Sequence, residues 1–165
     1  MKRRTRSLLL PAAVVAVLAV LAVLQVCRER AAALDPLTRL DTSQVQAITV
    51  RCQGCPTRRY EKSGGVWRMQ EPRAAAADPE VVGKLLSIAA MPVRHRHPRA
   101  DLDPAKLGLD PPQATLALDD LVLAFGTSDA IHGDRYVTVG DGIALVPDRF
   151  SAWIFAIEPT ENERP

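Results

Sequence analysis

Apolar residues follow three different rhythms along this chain. From Leu8 to Val26 the run LLLPAAVVAVLAVLAVLQV is continuous and uncharged. A helix of that length is roughly 28 Å long, close to the hydrocarbon thickness of a bilayer. The run therefore predicts a transmembrane helix over residues 8–26. Pro11 falls in its first turn, where a missing N–H costs little. Beyond residue 41 the rhythm changes to the alternation of half-buried strands, broken in two places by helical spacing.

Val45, Ala47, Ile48 and Val50 predict a first strand. Arg58–Lys62 around Tyr60 and Val66–Met69 predict two more. Gln53-Gly54-Cys55-Pro56 and Ser63-Gly64-Gly65 supply the turns. Asp78-Pro79-Glu80 opens a helix, with Asp as N-cap, Pro at the first position and an acid in the first turn. Val81, Val82, Leu85, Leu86, Ile88 and Ala89 form its apolar face, and Met91-Pro92 ends it. The plan then recurs. Ala114, Leu116 and Leu118 alternate, Asp119-Asp120 turns, and Leu121, Leu123 and Phe125 return. Tyr136–Val139 and Ile143–Val146 flank the turn Gly140-Asp141-Gly142. Asp148 caps a last helix in which Phe150, Trp153, Ile154 and Ile157 share a face.

The expected fold class is α+β: an N-terminal transmembrane helix followed by two antiparallel meander-plus-helix units. Residues 1–7 form a basic tail, 27–41 a spacer, and 42–157 the folded domain. Its sub-units are 42–92 and 113–157, joined by a linker over 93–112. Within that linker Asp103–Gly108 reads as one capped helical turn, stapled by Leu102, Leu107 and Leu109. Residues 158–165 are a tail.

The charges around the apolar run give it a direction. Lys2, Arg3, Arg4 and Arg6 precede it, whereas Arg28, Glu29 and Arg30 follow with a net charge of +1. The positive-inside rule puts the N-terminus in the cytoplasm and residues 31–165 outside it. The bilayer is then a partner through residues 8–26, and the localisation is an inner membrane with a periplasmic domain. A cleaved signal peptide would have a shorter core, and only Ala31-Ala32-Ala33 offers a late cleavage site. A lipoprotein would need a small residue before Cys27, where Val26 stands. A buried helix of a soluble protein does not explain the cationic flank.

Composition sharpens this picture in two ways. Aromatic residues make up 4% of the chain, so Leu, Val, Ile and Ala must fill the core. The net charge of +2 conceals an asymmetry. Residues 42–100 carry 10 Lys/Arg against 4 Asp/Glu, net +6; residues 101–165 carry 4 against 12, net −8. Either the halves attract each other, or both are simply solvated, or the basic half faces anionic headgroups or an acidic partner. Nucleic acid is excluded by the small net charge, the compartment and the lack of a binding motif.

Trp67-Arg68-Met69, Glu71-Pro72, the capped helix, Lys106-Leu107-Gly108-Leu109-Asp110-Pro111-Pro112, Phe125-Gly126 and Arg135-Tyr136-Val137 occur in an order that resembles the family called domain of unknown function 4340. The resemblance runs over about Leu37 to Ile157. It implies a bacterial protein with one N-terminal anchor and an extracytoplasmic body, some members being auxiliary to ABC transport systems of the gliding-motility type. It implies no catalytic residues. Trp67 reads as a core anchor, Gly108 as a helix C-cap and Pro111 as a stiffener.

Several groups invite a chemical reading. Cys52-Gln53-Gly54-Cys55 can be a structural disulfide, a pair of free thiols, a redox pair or half a metal site. It lies in a turn and not at a helix start, which favours the possible disulfide between Cys52 and Cys55. His95 and His97 can share one side of a strand, with Asp101 or His132 as a third metal ligand, but Arg94, Arg96 and Arg99 repel a cation. This basic stretch can instead meet lipid phosphates. Ser128, Asp129, His132 and Asp134 are hydrolase residue types without a nucleophile motif. Asp119-Asp120 and Asp101-x-Asp103 lack calcium-loop spacing. The expectation is a non-enzymatic interaction or assembly module with an envelope protein partner, without cofactor or metal. The alternative is a thiol–disulfide or metal-handling protein using Cys52 and Cys55.

Overall fold

The computed structural model describes residues 35–156 and, before them, only Val20. The transmembrane reading of residues 8–26, the basic tail and the segment 158–165 lie outside the described residues, Val20 apart. Among the described residues no helix is long and apolar enough to cross a membrane.

Nine strands form one sheet. They are β1 (Ala47–Cys52), β2 (Arg58–Ser63), β3 (Val66–Glu71), β4 (Ala75–Ala76), β5 (His95–Pro98), β6 (Ala114–Leu118), β7 (Leu121–Ser128), β8 (Asp134–Val139) and β9 (Gly142–Pro147). Their spatial order is β4-β3-β2-β1-β6-β7-β8-β9-β5, and every neighbouring pair is antiparallel. The fold is thus mostly antiparallel sheet with a helix packed on it, an α+β arrangement. The two expected meanders are continuous with each other, because β1 pairs with β6 from Ile48↔Leu118 to Cys52↔Ala114. Arg58–Lys62, which reads from sequence as a possible free edge, is paired on both sides by β1 and β3. The true edges are β4 and β5.

Alternation puts one face of each strand into the core. Val50, Leu116 and Leu123 are cross-strand partners, as are Phe125, Val137 and Ala144, and all six are buried. Helix α1 (Pro79–Ser87) covers this face with Val82 and Leu85. Its start follows the sequence reading: the Asp78 carboxylate accepts from the Glu80 N–H at 2.8 Å. A 3-10 turn over Ile88–Ala90 completes the apolar stripe before Met91.

The last helix, α2, is shorter than its spacing implies, running over Ser151–Ile154. Phe150 and Ile154 are buried, whereas Ile157 lies outside the described residues. Arg58 gives a physical reason for the early stop. Its Nη2 donates to the carbonyls of Trp153 and Ile154, both at 2.6 Å. Those are carbonyls that a longer helix would engage.

Two boundaries move. Leu37 is 1% exposed and its N–H donates to the Met91 carbonyl at 2.7 Å. The folded unit therefore includes Pro36–Asp41, residues expected in the spacer. The expected linker 93–112 contributes edge strand β5, and its remainder must pass β9, β8 and β7 to reach β6. Leu107 and Leu109 come to rest on Gly126 of β7. A Cβ at Gly126 would overlap the Leu107 carbonyl oxygen and approach Leu109 Cγ to 2.9 Å.

Glycine replacements should therefore diverge. Gly126→Ala forces the Leu107–Leu109 segment off the sheet and should cost about 1–3 kcal/mol. Gly83 lies inside α1 with open space where a Cβ would go, so Gly83→Ala should stabilise by about 0.5–1 kcal/mol. Urea unfolding of the two variants measures both; equal effects would refute the packing role of Gly126.

Candidate functional site

The C-terminal ends of β1, β7 and β9 and the N-terminal ends of β2, β6 and β8 meet at one end of the sheet. Cys52, Cys55, Ser128, Asp129, His132 and Asp134, singled out in the sequence, collect there. Arg135 is the hub. Its Nε donates to Asp148 Oδ2 at 2.8 Å, and its Nη1 donates to Gln113 Oε1 at 3.1 Å and to the Gly126 carbonyl at 2.5 Å. Its guanidinium carbon lies 5.1 Å from the centre of the Phe155 ring. The side chains of Arg135 and Asp148 are 11% and 12% exposed. Asp148 also accepts from Ser151 at 2.5 Å and from Ser128 at 3.1 Å. Asp148, which reads from sequence as the cap of α2, is not its N-cap: Phe150 holds that position without a side-chain cap bond, and Asp148 takes the hydroxyl of Ser151. Nothing in the sequence pattern marked Arg135 as its partner, since the two reside on different strand ends.

The polar loop after β7 is organised locally. Asp129 Oδ2 accepts from the His132 backbone N–H at 2.9 Å and faces His132 Nδ1 at 3.0 Å. The backbone bond first, and the ring second, hold the Asp129 carboxyl below the usual carboxylate range. Asp134 is buried and pairs with Arg94 at 2.8 Å. Ser128 donates to Asp148, so the serine, histidine and aspartate of this loop do not line up as nucleophile, base and orienter.

Cys52 and Cys55 are joined as a disulfide, with their Cα atoms 5.4 Å apart. The turn they close is tied to the start of β6: the Gln53 N–H donates to the Gln113 carbonyl at 2.9 Å and its side-chain amide to the Pro112 carbonyl at 3.2 Å. His95 and His97 lie on β5 at the sheet edge. Among the described residues no three His, Cys, Asp or Glu side chains are grouped to hold a metal ion. Asp119, with φ of 50°, spends its carboxylate on the backbone N–H groups of Gln46 and Ala47. Asp103 accepts from the Ala105 N–H at 3.1 Å, the cap expected of it, and Gly108 ends that turn with φ of 64°. Trp67 sits at the rim of the core, half-buried beneath Lys62, and does not anchor its centre.

This architecture defines the class: an α+β domain built on a single antiparallel sheet. The chain matches the family described as Domain of unknown function (DUF4340) over residues 67–156, more than half of its length, and belongs to that family. No curated protein and no solved structure gives a significant match. The matched stretch begins at β3 and so leaves out β1 and β2, which lie between β3 and β6 in the sheet. Three segments that carry the resemblance also touch one another: Leu107–Leu109 rests on Gly126, and Arg135 donates to the Gly126 carbonyl.

Arg135→Gln should cost about 3 kcal/mol, because it leaves the largely buried Asp148 carboxylate without its cation; urea unfolding measures this. Asp129 supplies a finer test. Its depressed pKa means that its interactions add stability above the ordinary carboxylate pKa and lose it as pH falls through the lowered value. His132→Ala keeps the backbone donor, so most of the depression should persist, whereas His132→Pro should return Asp129 toward its ordinary value. A carboxyl-carbon NMR titration reads this directly.

Proposed function

We propose that the chain is a single-pass protein of the bacterial inner membrane, with residues 1–7 in the cytoplasm and residues 8–26 as an uncleaved anchor. Its periplasmic domain is a non-catalytic interaction or assembly module, auxiliary to an envelope or ABC-transport-type complex. The observation that carries this reading is how the chemically capable side chains are used. Arg135, Asp148, Ser128 and Ser151 bond to one another, Asp129 and His132 close their own loop, and Asp119 and Asp103 bond to backbone. These groups build the fold and are not gathered around a reacting centre. An anchor would confine the domain to the membrane surface and raise its effective concentration near a partner there.

A second reading has one observation in its favour. The bonded pair Cys52 and Cys55 closes an outward turn, a position open to a periplasmic thiol–disulfide partner. The two readings separate in one experiment. The full chain is crosslinked gently in its native membranes and affinity-purified beside residues 1–41 alone. A stoichiometric envelope protein, retained by a folded Cys52→Ser/Cys55→Ser variant, is the expected result for an assembly module. Loss of that partner in the double variant, or its absence altogether, overturns the module and transfers the weight to the cysteines.

A further inference from the structure

We infer that β5 and its flanks are the surface this protein lays against anionic lipid headgroups; the inference rests on the membrane-anchored reading above. β5 is the outermost strand at one edge of the sheet, and His95, Arg96 and Pro98 are exposed. From Val93 to Arg99 the chain carries Arg94, Arg96 and Arg99 with His95 and His97, and no acid. Arg94 pairs with Asp134, but the pair is lopsided. The Asp134 side chain is 4% exposed and the Arg94 side chain 57%. The negative partner is turned into the fold while the guanidinium remains at the surface. Asp101 is the next acid along the chain, beyond the strand.

The second observation is where the chain enters the fold. Pro36 bridges Pro92, the Leu37 N–H bonds to Met91, and the Thr38 N–H bonds to Ala89. Arg96 Nη2 donates to the carbonyls of Pro36 at 2.6 Å and Leu37 at 3.2 Å. The first residues of the fold are thus fastened to the stretch that leads into β5 and to β5 itself. The apolar run ends at Val26, and the residues from there to Asp35 span at most roughly 30 Å when extended. An anchor at 8–26 therefore keeps the basic strand on a short tether to the membrane surface. The tether matters because headgroup attraction decays over about 8–10 Å.

The third observation separates a lipid surface from a partner strand. Pro98 offers no backbone N–H, and arginines line the edge. Both features oppose strand addition. What this edge presents outward is positive charge.

Both tryptophans of the chain, Trp67 and Trp153, lie within the fold, so their energy transfer to a dansyl-labelled lipid reports its distance from the bilayer. The full chain is reconstituted in phosphatidylcholine vesicles with and without phosphatidylglycerol. Transfer should be higher on the anionic vesicles and should fall with salt. Arg99→Gln, which removes a cation without touching the Pro36 contact, should lower the docked-to-undocked ratio about five-fold. Lys106→Gln, outside the strand, should change it less. A chain that floats with both vesicles but shows equal transfer, or is indifferent to Arg99→Gln, overturns the inference and leaves the anchor standing. A chain that floats with neither overturns both.

Discussion

The pairing of β1 with β6 is the constraint on which the rest of this structure depends. Without it the first meander and the second would each be a thin sheet with one poorly covered face. Joined, they align Val50 with Leu116 and Leu123, and the cover supplied by α1, Phe150 and Ile154 becomes one continuous core. The pairing also explains why a chain with so few aromatic residues can fold. A wide sheet of Leu, Val and Ile needs only a thin covering layer to remove its apolar face from water.

Cations work inside this fold as much as on its surface. Arg58 is buried and satisfies the carbonyls at the end of α2, where a positive charge opposes the negative end of the helix. Among the described residues its Nε finds no hydrogen-bond partner, which makes this an imperfectly compensated site. Arg135 links the crossover, β7 and α2 through Gln113, Gly126 and Asp148. Arg94–Asp134 is a direct contact between the basic and the acidic half of the chain. The attraction implied by their opposite net charges is realised there as one half-buried bond.

Much of the local structure was legible because it is set by neighbours in sequence. Asp78-Pro79-Glu80 does start a helix, Gly64-Gly65 does turn a hairpin, and the alternation of Ile48 and Val50 or Leu116 and Leu118 does mark a buried face. What failed was pairing. A strand such as Arg58–Lys62 looks like an edge because its outward residues are polar, yet polar positions are also what the solvent face of an interior strand carries. β4 has two alanines and no pattern at all. β5 falls in the expected linker because arginine and histidine give no hydrophobic alternation, although His95 and His97 can share one side of a strand. The helix that begins at Ser151 ends at Ile154, where Arg58 takes its carbonyls from a distant strand. The candidate site was half legible for the same reason: Asp129–His132 is local, whereas Arg135–Asp148 depends on the register of β8 with β9.

The position of β1 also has a consequence for how the chain is made. Synthesis delivers β1, β2 and β3 early, and these can pair as hairpins as soon as they emerge. The other edge of β1 must wait for a partner that arrives only with Ala114–Leu118. Until then the nascent domain presents an open backbone ladder, beside the apolar face of Ile48 and Val50, to whatever lies nearby, the condition under which partly made sheets associate wrongly. The helix α1, completed in the interval, is the one element that can shelter that face before the sheet closes. The order of elements along the chain therefore places its protection ahead of its slowest step.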